Sequence, residues 1–260
     1  MLISDVPINL SGARLLDLDL RDGVQAALVE RAGTQEVLIG DWIAPVPKTL
    51  RFPIVRLIDK TTAIVLDTRT TGAPNAWIVN ADIGVTAEFL AGDAITDVAC
   101  LSDLLAISYF DEGIFGHVEP SPEGIAVFSL QGAFLWGYHS TFRAAAQTID
   151  DCYCMCVGPD ERLWFHPYSD FTLVALDCRS QAQEVLSLPR SLAGSKAIST
   201  DGSQHWFFSP GAHESELFSW KPSDGEPKQL ATLEGRLRGL PGGRFMTVTP
   251  SQGRIAHVAA

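Results

Sequence analysis

Residues 149–156 read IDDCYCMC, three cysteines at alternate positions behind two aspartates. Thiols in such a stretch could bind zinc, form disulfides or simply pack. Structural zinc sites draw their ligands from C-x2-C pairs on tight turns, where sulfurs about 4 Å apart converge on one ion. The spacing here is C-x-C-x-C, which is strand periodicity and sets same-face side chains roughly 6.5–7 Å apart. With Cys100 and Cys178 the chain has 5 cysteines, an odd number that does not build a disulfide framework. The cysteines are therefore expected to be reduced and buried, packing as small apolar groups.

The other groups with chemical capacity are carboxylates, histidines and a few loop aromatics. Asp97, Asp111, Glu112, Phe115, His117, Asp151, His166, Tyr168 and Asp170 make up the expected binding face. Carboxylates in that number suit a cationic partner. They would also suit a hard divalent cation: Asp97, Asp151 and Asp170 could ligate Ca²⁺ or Mg²⁺, with His166 or a neighbouring carboxylate as general base. That second reading is a metal-dependent hydrolase or lactonase. The plain alternative for each loop carboxylate is turn formation or solvated charge. Asp97 and Asp151 are expected in one register of successive repeats, where they could also cap backbone amides. No G-x-S-x-G elbow, phosphate-binding loop, dinucleotide fingerprint or EF-hand spacing accompanies these residues. Without a catalytic motif, no cofactor is expected.

What would position such residues is a repeat of about 43 residues, each copy reading as four short strands. One copy runs CYCMCV, RLWFH, FTLVALD and EVLSLP; the next runs SKAIS, HWFFS, ELFSWK and KQLATLE. Earlier copies begin at ITDVACL, FPIVRLI and RLLDLDL, the last of these with a weak fourth strand near KTLRF. A three-strand remainder, GRLRGL, RFMTVT and RIAHVAA, ends the chain. Second and third strands are nearly unbroken apolar runs, as sheets buried on both faces require, and fourth strands are more polar. A β-sandwich explains neither the four-strand period nor the doubly buried runs. The fold expected is an all-β propeller of four-stranded blades. Residues 3–10 would complete the last blade, giving six; five and seven are the alternatives. In a propeller the loops entering the first strands and those joining second to third strands open on one face. His213 and Glu214 fall in such a loop, as do the candidates at 111–119 and 166–170. The loop at 111–122 is longer than its counterparts, and extra length on one rim marks binding.

Composition narrows the function further. The chain has 260 residues, 46% hydrophobic and 19% charged, with a net charge of −12. That charge repels phosphate backbones and anionic lipid, so neither nucleic acid nor a membrane is an expected partner. No apolar run reaches the ~20 residues that span a bilayer. The N-terminus has no basic start leading into an apolar run, so a cytoplasmic protein is expected.

SYFDEGIFG at 108–116, GIAVFSLQG at 124–132, IDDCY at 149–153 and YSDF at 168–171 resemble segments of uncharacterised bacterial six-bladed β-propeller proteins. The resemblance covers roughly residues 75–175. It implies the fold and a bacterial origin but brings no catalytic residue. The function expected is a non-catalytic binding module whose acidic face takes another protein. An immunity-type inhibitor of a basic protein is one version.

Overall fold

The structure, a computed structural model, describes residues 1–8, 10–142, 148–209 and 213–258. Six four-stranded antiparallel sheets follow one another along the chain, and the fold is a six-bladed β-propeller. Backbone contacts divide it into two compact units.

One unit, Val6–Thr141 with Val248–Gly253, holds the first three blades. Their strands are Arg14–Arg21, Val24–Arg31, Thr34–Ile39 and Trp42–Pro45; Pro53–Leu57, Thr62–Asp67, Ala76–Asn80 and Gly84–Phe89; and Ile95–Cys100, Leu104–Tyr109, Ile125–Ser129 and Phe134–Gly137. The first strand of the second blade packs against the first strands of both its neighbours. The apolar seam between the first two blades interleaves Leu28, Val37 and Ile39 with Val55, Leu57, Val65 and Trp77.

The other unit comprises Met1–Asp5, Phe142–Thr247 and Arg254–Ala260. Its fourth blade is Cys152–Val157, Leu163–Pro167, Thr172–Leu176 and Gln183–Ser187. The fifth is Ala197–Thr200, His205–Phe208, Glu216–Trp220 and Lys228–Thr232. Leu237–Leu240, Arg244–Thr249 and Gln252–His257 begin the sixth, and the N-terminal strand Leu2–Val6 pairs with Gln252–His257 to complete it. Closure thus occurs as the sequence predicts, over a shorter segment than 3–10.

Burial follows the pattern read from the runs. Leu104–Tyr109 and Thr172–Leu176 are buried along their whole length, whereas Gln183–Ser187 and Lys228–Thr232 are largely exposed. A middle strand covered on both faces has no position where a polar side chain reaches water, so its sequence loses alternation. One boundary differs from expectation. The fourth strand of the first blade is Trp42–Pro45, not the stretch near KTLRF. The chain reverses at Gly40–Asp41, with Gly40 at φ 56°, as a two-residue hairpin with glycine at its first turn position requires.

The cysteines are free thiols. Cys154 and Cys156 pack with Trp164, Phe207 and Trp220 in the seam between the fourth and fifth blades. Burial raises the Cys178 thiol to about 12 and pushes the Cys156 thiol higher still. These thiols stay protonated and unreactive near neutral pH. Among the described residues no helix is long and apolar enough to cross a membrane.

Candidate functional site

The long connection between the second and third strands of the third blade is a folded segment. Asp111–Ile114 forms one helical turn, and Ser121–Glu123 forms a 3-10 turn. Its inner side is fixed. Gly113 lies against the Asp93 carbonyl and Ala94, so closely that a Cβ there would meet Ala94 Cβ at 2.9 Å. This contact explains the glycine of the DEG motif. Ile114 and Ser121 are buried, and the Ser121 hydroxyl accepts a 2.7 Å hydrogen bond from the Asp93 backbone N–H.

Arg69, from the equivalent connection of the second blade, clamps the segment. Its Nε donates to Asp93 Oδ1 at 3.0 Å and its Nη1 to Glu112 Oε2 at 2.6 Å. The guanidinium carbon stands 5.7 Å from the centre of the Phe110 ring. With its inner side pinned, the segment turns Asp111, Glu112, Phe115, His117 and Glu119 outward. Phe115 is 69% exposed, the most exposed aromatic side chain among the described residues. The structure therefore brings Asp111, Glu112, Phe115 and His117 together on one short outward surface.

Asp97 is placed elsewhere. The first strands of the first and third blades carry β-bulges just before Asp17 and Asp97. Both carboxylates thereby reach Arg56 of the second blade. Asp97 Oδ1 accepts from Arg56 Nε at 2.9 Å and Nη2 at 2.5 Å, while Asp17 Oδ2 accepts from Nη1 at 2.7 Å. Asp19 accepts the Leu57 N–H at 2.7 Å. Burial opposes the charge on Arg56, but Asp97, Asp17 and Asp19 together outweigh it and raise its pKa. The Asp97 carboxylate, expected on the binding face or on a metal, thus already holds a buried guanidinium that ties three blades together.

Asp151 does not share the register of Asp97. The fourth blade repeats the bulge at Tyr153, which sets Cys154, opposite His166, in the place that Asp97 holds opposite Ser108. Asp151 precedes that strand, and its carbonyl accepts the Tyr168 N–H at 2.8 Å. Tyr168 is 47% exposed, and Asp170 is exposed beside it.

His166, expected on the exposed face and as a base, is completely buried. Its Nδ1 lies 2.8 Å from the Thr172 carbonyl and its Nε2 accepts the Gly194 N–H at 3.2 Å. One neutral tautomer, with the proton on Nδ1, satisfies both contacts. Burial drives the pKa of this imidazole down to about 4, against the smaller upward pull of the Thr172 hydrogen bond. In this position His166 braces the blade and has no free nitrogen for a substrate. His213, from the equivalent loop of the fifth blade, pairs with Glu216 at 2.9 Å.

Among the described residues, no three His, Cys, Asp or Glu side chains converge as metal ligands do. Arg69 and Tyr153 were not read as site residues. Arg69 carried no sequence signal, and Tyr153 appeared as one more apolar strand position until the bulge turned it.

No protein-family model matches the chain, and no curated protein matches it by sequence. Solved structures do. The structure of YCF48 bound to D1 peptide aligns over 98% of this chain and 82% of its own, at 10% identity and TM-score 0.57. A nidogen/laminin complex aligns over 90% of this chain and 84% of its own, at 12% identity and TM-score 0.54. A catalytically inactive virginiamycin B lyase from Staphylococcus aureus, with quinupristin, covers 98% and 99% of the two chains at 12% identity and TM-score 0.52. At these identities the likeness is one of fold.

Proposed function

We propose that this protein is a non-catalytic propeller module that binds a basic protein through the segment 111–123. The observation that carries the reading is Phe115: a large apolar side chain 69% exposed on a segment whose other side is clamped. Leaving a phenylalanine in water forgoes about 1.5–3 kcal/mol of burial, which a partner would recover. A preordered segment also spares the partner the entropy of ordering a loop. Asp111 and Glu119, exposed on the same segment, favour a positively charged counterpart. Propellers of similar fold that hold a peptide or a protein, YCF48 with D1 peptide and the nidogen/laminin complex, support the reading. Inhibition of a basic protein, in the manner of an immunity factor, is one form this binding would take.

The test is affinity capture from the source lysate at low and moderate salt, with wild type and Phe115→Ala side by side. A specific partner should be retained by the wild type and weakened roughly tenfold or more by the variant, as for an aromatic anchor. Recovery of no partner at either salt overturns the reading.

A further inference from the structure

In the fourth blade, three aromatic rings meet. The Tyr153 and Tyr168 centroids are 5.6 Å apart, Tyr168 and Phe171 5.3 Å, and Tyr153 and Phe171 6.5 Å. The planes are tilted by 59°, 81° and 41°, so the rings support one another at their edges instead of stacking flat. Two features hold them. The β-bulge at Tyr153 places that ring beside the loop 167–171. Phe171 sits at φ 49°, a left-handed conformation that few non-glycine residues adopt and that clusters at functional sites. Beneath them lies the neutral ring of His166, 6.0 Å from Tyr153 and 6.2 Å from Phe171. Of the three, Tyr168 is the ring that faces solvent.

Carboxylates stand beside Tyr168, in its own loop and in the residues that enter the first strand of the blade. Asp150 accepts a 2.7 Å hydrogen bond from the Ser169 hydroxyl, Asp151 is joined to Tyr168 through the backbone, and Asp170 stands exposed two residues on. The one lysine or arginine in residues 149–171 is Arg162, at the hairpin of that blade and already paired with Asp160 and Glu184. Elsewhere the protein's own arginines lie over rings: Arg51 over Phe52, Arg69 over Phe110 and Arg162 over Trp164. Among the described residues none lies over Tyr168.

We propose that the Tyr153–Tyr168–Phe171 cluster, with the carboxylates of Asp150 and Asp170 beside it, is a docking platform for an arginine side chain of a basic partner. A guanidinium is planar and weakly hydrated, so it lies flat on an exposed tyrosine while its N–H groups fork onto a carboxylate. An ammonium is more strongly hydrated and gains less from the ring. The inference rests on the protein-binding reading above and names the chemistry of the partner.

The experiment titrates the full chain with a short blocked peptide bearing one arginine, and with its lysine and citrulline counterparts. Binding is followed by NMR at the Tyr168 ring resonances for wild type and at those of Tyr153, its neighbour in the cluster, for wild type, Tyr168→Phe and Tyr168→Leu, each checked for an unchanged melt. The arginine peptide should shift the Tyr168 signals and bind roughly tenfold more tightly than citrulline, which has the shape without the charge. Tyr168→Phe should bind within about twofold of wild type, and Tyr168→Leu, apolar but without a π face, should lose roughly fivefold or more. Equal binding of citrulline, or full binding by Tyr168→Leu, overturns the platform. Lysine binding as tightly as arginine overturns the choice of guanidinium. If the peptide fails while a partner is still captured, the platform falls and the binding module stands. Peptide binding with no captured partner is the reverse result.

Discussion

His166 shows how far one residue's role depends on what lies around it. In the sequence it ends an apolar run just before a polar loop, where a binding or catalytic histidine is as natural as a packed one. In the structure both nitrogens are used and the imidazole is held neutral, with a pKa near 4. That depression has a sign that can be followed. In the unfolded chain the histidine takes up a proton below about pH 6.5. The folded chain does not until about pH 4. Between those values the unfolded state binds more protons, so the stability contributed by neutral His166 is complete above pH 6.5 and drains away as the pH falls. One proton of difference corresponds to about 1.4 kcal/mol per pH unit. His205, whose pKa burial also lowers to about 4, adds to the slope. Chemical denaturation of wild type and His166→Gln between pH 7 and 4.5 should give curves that converge as the pH falls, the variant losing about one proton's worth of slope. Parallel curves would show that His166 is not held neutral. The same dependence on surroundings explains Asp97. Its partner Arg56 lies 41 positions away, and the two meet because a bulge turns the carboxylate toward the second blade. Bulges leave little trace in a single sequence, so the carboxylate was legible and its guanidinium was not.

At the scale of elements the sequence was far more readable, and the reason is burial. Strands such as LLAISY and TLVAL are covered on both faces, so their composition alone marks the second and third strands of each blade. Outer strands, half in water, are the least distinctive, and there the reading failed: it puts the fourth strand of the first blade near KTLRF, whereas WIAP follows the third strand directly. The tight turn at Gly40–Asp41 was the signal that separated them. Closure of the sixth blade was legible as an accounting problem, since a three-strand remainder needs a fourth strand and the N-terminus had one to spare. The closing strand is mostly exposed, with only Val6 buried. It therefore stabilises through backbone pairing with Gln252–His257 and the 3.1 Å pair between Arg254 and Asp5 more than through core packing. A handful of backbone hydrogen bonds at about 1 kcal/mol each makes this a contribution of a few kcal/mol. Deleting residues 1–11 should lower the melting temperature by roughly 10 °C. A melt unchanged by the deletion would mean that the pairing adds nothing to stability.

For the whole molecule, the net charge of −12 and the anchors on its surface act over different distances, and kinetics separates them. Charge acts before contact, within a screening length of about 10 Å at 0.1 M salt. It would therefore set how often the proposed basic partner arrives in a productive orientation. In the complex proposed above, Phe115 would act only after contact, when its ring leaves water, and so would set how long the complex lasts. For the partner captured through the segment 111–123, raising the salt from about 0.02 M to 0.3 M should cut the association rate roughly tenfold and change the dissociation rate much less. Phe115→Ala should do the converse, leaving association nearly unchanged while dissociation quickens roughly tenfold or more. Surface plasmon resonance over that salt range measures both rates in one experiment. If salt acted on dissociation and Phe115→Ala on association, the charge would lie inside the contact and the ring outside it, contrary to a clamped segment whose exposed phenylalanine is the anchor.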